Sequence, residues 1–94
     1  MKRKTKIVCT VGPAIDSEEM IEKIINAGMN VARLNFSHGN QEEHSRRIQM
    51  VRKIANKLNR YIGIMADTKG PEIRTGMFKD GFAHFNTGDQ VKIL

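Results

Sequence analysis

The chain has 94 residues, a formal net charge of +6, 39% hydrophobic residues and 28% charged residues. That balance excludes an intrinsically disordered chain, and the length admits one small domain or a piece of a larger one. A single cysteine, Cys9, excludes an internal disulfide, and no apolar run is long enough to span a bilayer, so a cytoplasmic protein with no membrane partner is expected.

The basic start Met1-Lys2-Arg3-Lys4 resembles the head of a signal peptide, but the apolar stretch after it stops at Gly12-Pro13, too early for one. Lys6 to Val11 reads as a short buried strand. Asp16 stands three residues before Glu19, an approximate capping box that opens a helix. Met20, Ile21, Ile24 and Ile25 recur at helical spacing, with Glu18, Glu19, Glu22 and Lys23 on the other face, and Gly28 is placed to end the helix. Val31 to Phe36 reads as the second strand. Asn40 with Glu43 opens a second helix, whose apolar stripe is Ile48, Val51, Ile54, Ala55 and Leu58. Arg46, Arg47, Arg52, Lys53 and Lys57 are expected on its solvated side, and His44 and His84 as surface or structural residues. Tyr61 to Ala66 is the third strand, ending in Asp67.

Strand–helix–strand–helix–strand with short, nearly all-apolar strands predicts a parallel α/β arrangement. After Asp67 the texture changes. Gly70-Pro71, Gly76, Gly81 and Gly88 punctuate the β-like pieces Ile73–Thr75, Phe82–Phe85 and Gln90–Leu94, with a turn at Thr87-Gly88-Asp89. The expected division is residues 1–70 as part of a barrel-like unit and 71–94 as the start of a β-rich module. An apolar strand that stops at Leu94 is expected to be part of something longer.

In parallel α/β architectures functional groups gather at the carboxyl ends of strands. Ser37 and His38 lie just past the second strand, and Asp67 and Thr68 just past the third. Arg33, Asn35 and Ser37 alternate along one face of an otherwise apolar strand. An unpaired amide or hydroxyl there costs about 1–3 kcal/mol, and a buried guanidinium needs an anion. Two readings follow. One is a buried Arg33–Asp67 salt bridge with Asn35 and Ser37 as hydrogen-bond partners. The other is a binding site, with Arg33 as a fork for phosphate or carboxylate and with Asn35, Ser37 and Asp67 as oxygen donors to a hard cation of low charge. The dinucleotide glycine pattern and the phosphate-loop motif are both absent, and Cys9 has no neighbouring histidine to activate it. The basic excess also admits a small polyanion- or nucleic-acid-binding module using Lys2, Arg3, Lys4 and the second helix. No arginine-rich run with interleaved aromatics supports it. A structural βα fragment without activity is the third possibility.

"KIVCTVGPA" from Lys6, "GMNVARLNFSHG" from Gly28 and "DTKGPEIRTG" from Asp67 closely resemble pyruvate kinases of bacterial type, in the family's order and spacing, over essentially the whole chain. The resemblance implies a (β/α)8 barrel with a β-rich lid inserted after the third strand, near Gly70-Pro71. It implies phosphoryl transfer from phosphoenolpyruvate to ADP, giving pyruvate and ATP, with Mg2+ or Mn2+ and K+ as cofactors. It also implies a homotetrameric parent and no nucleic-acid partner. Arg33 matches the substrate-binding arginine. Asn35, Phe36, Ser37, His38 and Arg74 match nucleotide-contacting positions. Asn35, Ser37, Asp67 and Thr68 match the potassium ligands, Thr68 through its backbone carbonyl. Glu72 matches the position where glutamate goes with potassium dependence and lysine with independence. The family's catalytic lysine and divalent-metal carboxylates fall beyond Leu94, so the isolated chain is expected to be inactive.

Overall fold

In a computed structural model, which describes residues 2–94, the chain runs through β1 (Val8–Thr10), a 3-10 turn (Pro13–Ile15), α1 (Glu18–Ala27), β2 (Val31–Asn35), α2 (Gln41–Lys57) and β3 (Gly63–Asp67). The three strands form one parallel sheet in the order β1-β2-β3, with Thr10 opposite Arg33 and Asn35 opposite Asp67. The alternation of strand and helix matches the sequence reading, with strands one to three residues shorter than expected.

Both helices begin on a side-chain oxygen that takes up one of the unpaired N–H groups of the first turn. For α2 this is Asn40, whose Oδ1 accepts from the Glu43 N–H at 2.9 Å. For α1 the cap is Ser17, which accepts from Met20 at 3.3 Å, and not Asp16. The Asp16 carboxylate is withdrawn from the helix by Arg46 and Arg47 of α2. Gly28 ends α1 with φ +120°, donating to the carbonyls of Ile24 and Ile25. A Cβ at Gly28 would also meet the Arg3 guanidinium at 2.5 Å, so both backbone conformation and space demand glycine there.

Ile21 and Ile25 of α1 and Val51, Ile54 and Ala55 of α2 bury their stripes on Val11 and Ala32, with Cys9 and Ile64 packed at the edge. Each fully buried aliphatic side chain contributes about 1.5–3 kcal/mol. The two helices are matched by charge on their outer flanks: Glu18 meets Lys53 at 2.7 Å and Glu22 meets Lys57 at 2.8 Å. Exposed pairs of this kind are worth about 0–1 kcal/mol each, so they set helix register more than stability. Arg47, expected on the solvated side, is buried instead, as is His44. Both continue the apolar stripe at helical spacing.

The side chains that alternate away from the helices make the other face of the sheet. Val8 and Met65 are substantially exposed on it, so only one face is covered by the described residues. The stretches 73–75, 82–85 and 90–94 form no strand and are exposed. A lone extended segment has no partner for its backbone groups, and β propensity without pairing does not fix a strand. The turn at Thr87-Gly88 is present, closed by the Asp89 N–H to Asn86 carbonyl bond of 3.1 Å. The radius of gyration is 18.3 Å, against about 12 Å for a compact chain of this length, because this segment reaches away from the sheet.

Candidate functional site at the carboxyl ends of the strands

Polar side chains collect at the carboxyl edge of the open face. Arg33 donates from Nη1 to Thr10 Oγ1 at 2.9 Å and from Nε to Asp67 Oδ2 at 2.9 Å, with Nη2 on the same Asp67 oxygen. The guanidinium thus bridges β1 and β3 from its seat on β2. The Arg33–Asp67 salt bridge foreseen from the alternation is formed, but it is not buried: the side chains are 29% and 45% exposed. Both contacts use Asp67 Oδ2, leaving Oδ1 to another partner. Asn35 Oδ1 accepts from the Ser37 N–H at 3.1 Å, which folds the chain into a tight turn directly after β2. The Phe36 N–H donates to the Asp67 carbonyl at 2.9 Å, tying that turn to the end of β3 and to Thr68 beside it.

A pocket of about 290 Å³ opens next to this cluster, between the loop after β1 and the start of α2. Its walls include Thr10, Gly12, Pro13, Asn35, His38, Glu43, His44 and Arg47. The sequence reading missed Glu43, His44 and Arg47 as wall residues. Their spacing along α2 was the available signal, since positions 44 and 47 precede 51 and 54 on the buried face.

Arg74 and Glu72 are not joined to this cluster. The Arg74 guanidinium is held by Glu72, with Nε–Oε1 and Nη2–Oε2 both 3.1 Å, and Lys69 Nζ lies 3.4 Å from Glu72 Oε1. Arg74, and after it Lys69, hold the Glu72 carboxyl below the usual range.

Asn35, Ser37, Asp67 and the Thr68 carbonyl carry oxygens of the type a hard cation of low charge takes; of these, Asp67 Oδ1 is left over by Arg33 and Asn35 Oδ1 accepts from the Ser37 N–H. A divalent site is a different matter. Among the described residues no group of three His, Cys, Asp or Glu side chains could hold a metal ion.

Asp16 holds Arg47, one of the residues lining the pocket. It accepts from Arg46 Nη2 at 2.6 Å and from Arg47 Nη2 and Nε at 3.3 and 3.4 Å. The Arg46 hydrogen bond, then the Arg47 one, lower its pKa below the ordinary carboxylate value. A depressed folded pKa stabilises the fold above the unfolded value, and that contribution disappears as pH falls through the folded one. Asp16→Asn is therefore expected to lower the melting temperature at pH 7 by leaving the buried Arg47 without its anion, at about 1–3 kcal/mol. The wild-type advantage should begin to shrink as pH falls below about 4, the unfolded value, and be lost through the lower folded one. Melting curves of both chains at pH 7 and pH 3 check this; a gap that persists unchanged at pH 3 would refute it.

The model of the family "Pyruvate kinase, barrel domain" matches residues 2–94. The chain belongs to the pyruvate kinase family. It is 64% identical over 89 residues to the pyruvate kinases of Staphylococcus aureus (strain USA300) and Staphylococcus epidermidis, covering 95% of this chain and 15% of each relative. The crystal structure of Cryptosporidium parvum pyruvate kinase superposes with a TM-score of 0.80 at 51% identity, over 85% of this chain and 17% of that one. The chain thus spans about 15% of the length of the relatives it matches. Its parallel βαβαβ order is that of an amino-terminal portion of a pyruvate kinase (β/α)8 barrel. The polyanion-binding alternative loses to this family assignment. Four of the five basic residues it would use on α2 are also engaged within the fold: Arg46, Arg47, Lys53 and Lys57 are paired with Asp16, Glu18 and Glu22. No helix of the described residues is long and apolar enough to cross a membrane.

Proposed function

We propose that these residues form one side of the active site of a full-length pyruvate kinase, transferring a phosphoryl group from phosphoenolpyruvate to ADP. The observation that carries this reading is the Thr10–Arg33–Asp67 cluster, a guanidinium held at the carboxyl edge of an otherwise apolar, uncovered sheet face. Phosphoryl transfer is chiefly positioning and neutralisation of charge. Arg33 supplies a planar fork of N–H donors for the oxygens of the phosphoryl group. The turn Asn35–His38, which together with Pro13 and Glu43 borders the pocket, contacts the nucleotide, and Arg74 joins it when the exposed segment folds over the site. Support for this pairing is Thr10, which lines the pocket and accepts from Arg33.

Asn35, Ser37, Asp67 and the carbonyl of Thr68 hold potassium, which supplies positive charge beside the group being transferred. Magnesium or manganese serves the same reaction in this reading, but no residue here is assigned to it. The division of the chain into barrel residues 1–70 and the start of a lid at 71–94 rests on the change of texture at Gly70-Pro71. The full-length enzyme is read as a cytoplasmic homotetramer.

The test is pyruvate formation by the full-length enzyme from phosphoenolpyruvate and ADP with Mg2+ and K+ present, followed against the same mixture without ADP. ADP-dependent turnover is expected from the full-length enzyme and none from the 94-residue chain alone. A full-length enzyme that folds yet produces no ADP-dependent pyruvate would refute the reading.

A further inference from the structure

His44 is the fourth residue of α2, and its ring is almost fully buried at 5% exposure. Two contacts join it to the turn after β2. Its Nε2 lies 2.6 Å from the His38 carbonyl oxygen; a carbonyl only accepts, so Nε2 carries the proton and donates. Its ring stacks on Phe36 with centroids 4.4 Å apart and planes at 27°. At Gly39 beside it φ is +75°, and a Cβ there would meet Glu43 Oε2 at 2.8 Å and His44 Nε2 at 3.2 Å. The other ring nitrogen, Nδ1, is buried with no hydrogen-bond partner. A ring chosen only to fill the core would not be expected to carry an unmatched polar atom there. The bond to His38 accounts for an imidazole at this position.

We propose that His44 is a positioning residue that clamps the Asn35–His38 turn to the first turn of α2, and so sets where the nucleotide and the potassium ion are held. This rests on the reading of that turn as the nucleotide-contacting element. Among the described residues the turn is also held by the Phe36 N–H to Asp67 carbonyl bond, by the Ser37 N–H to Asn35 Oδ1 bond, and by a longer bond of 3.3 Å from the His38 N–H to the Asn35 carbonyl. The last of these is internal to the turn, so the tie from His38 to α2 is the short bond to His44. Arg33 sits on β2 itself and is held by Thr10 and Asp67, so the clamp does not bear on it.

Two substitutions separate the bond from the stack. His44→Gln keeps an N–H donor at the Nε2 position and loses the ring. His44→Phe keeps the ring and loses the donor. In the full-length enzyme at saturating K+, His44→Phe is expected to raise the KM for ADP about five- to tenfold, the equivalent of one lost hydrogen bond. The KM for phosphoenolpyruvate should stay within about twofold, because Arg33 is untouched. His44→Gln should restore the ADP KM even if it melts at a lower temperature than His44→Phe. The half-saturating K+ concentration should follow the ADP KM across the series. A purely structural role predicts the reverse, with ADP KM tracking melting temperature. Equal KM values in both variants, or an impairment confined to His44→Gln, would overturn the proposal. Gly39→Ala strains the turn through its positive φ and crowds both Glu43 Oε2 and His44 Nε2, and it carries the test if neither His44 variant folds; an unchanged ADP KM there also overturns the proposal. A wild-type enzyme without ADP-dependent turnover refutes instead the functional reading beneath.

Discussion

Arg33→Lys in the full-length enzyme is expected to lower kcat/KM by on the order of 10²-fold or more, with a change of only a few degrees in melting temperature. The expectation comes from how the guanidinium is used. Arg33 places two nitrogens on one Asp67 oxygen and a third on Thr10, and still belongs to a face no other described element covers. With side chains 29% and 45% exposed, the Arg33–Asp67 pair contributes about 1 kcal/mol at most to folding, because solvent screens it. In the proposed reaction its value is larger. Lysine keeps the charge but has no planar fork, and it cannot hold Asp67, Thr10 and a phosphoryl oxygen in one geometry. Steady-state kinetics and a melting curve on the same preparation distinguish the two roles. Equal kcat/KM with a clearly lowered melting temperature would mean that the ion pair is a structural tie and nothing more.

The second large effect concerns potassium. The wild-type full-length enzyme is expected to lose at least about tenfold in rate when K+ is replaced by a non-activating cation at constant ionic strength. Glu72→Lys should remove most of that dependence, because a fixed ammonium supplies the charge the ion otherwise brings. Lys69, two residues past Asp67, would spoil the argument if its ammonium already served the cation site. It lies instead 3.4 Å from Glu72, and Glu72 is also engaged by Arg74. Removing the Glu72 carboxylate therefore releases Lys69 as well. Glu72→Gln is the control: it releases Lys69 without adding a charge. If Glu72→Gln abolishes potassium dependence as fully as Glu72→Lys, then Lys69 is the substitute cation. A wild-type rate indifferent to K+ removes the basis for assigning Asn35, Ser37, Asp67 and Thr68 to the ion.

Much of the fold was legible because short-range rules decide it. The Asn40 cap and the Gly28 stop follow from local backbone chemistry, and the stripes on α1 and α2 from the helical period. The polar row at Arg33 and Asn35 was visible because a strand alternates its side chains and the row broke an apolar pattern. What escaped the sequence was decided at long range. Asp16 looked like a cap; its competing partners, Arg46 and Arg47, are 30 and 31 residues away. Arg47 looked solvated because charge normally is, and only the carboxylate brought by the loop after β1 makes its burial tolerable. His44 was read as surface or structural, and its bond to the His38 carbonyl depends on a turn geometry that no periodicity encodes. The strands expected after Gly70 failed for the opposite reason: their local propensity is real, but nothing among the described residues pairs with them.

The bridge from Thr10 through Arg33 to Asp67 draws one side chain from each strand of the sheet. Parallel strands of three to five residues have few backbone bonds with which to fix their alignment. A shift of one position in any of them would turn an apolar row outward and send a polar one toward the helices. It would also pull one member out of the bridge, leaving a guanidinium or a carboxylate unmatched. The three side chains proposed to serve phosphoryl transfer thus double as a gauge of correct alignment during folding. A chain whose strands have mispaired cannot assemble this edge, so the chemistry and the error check are read from the same bonds.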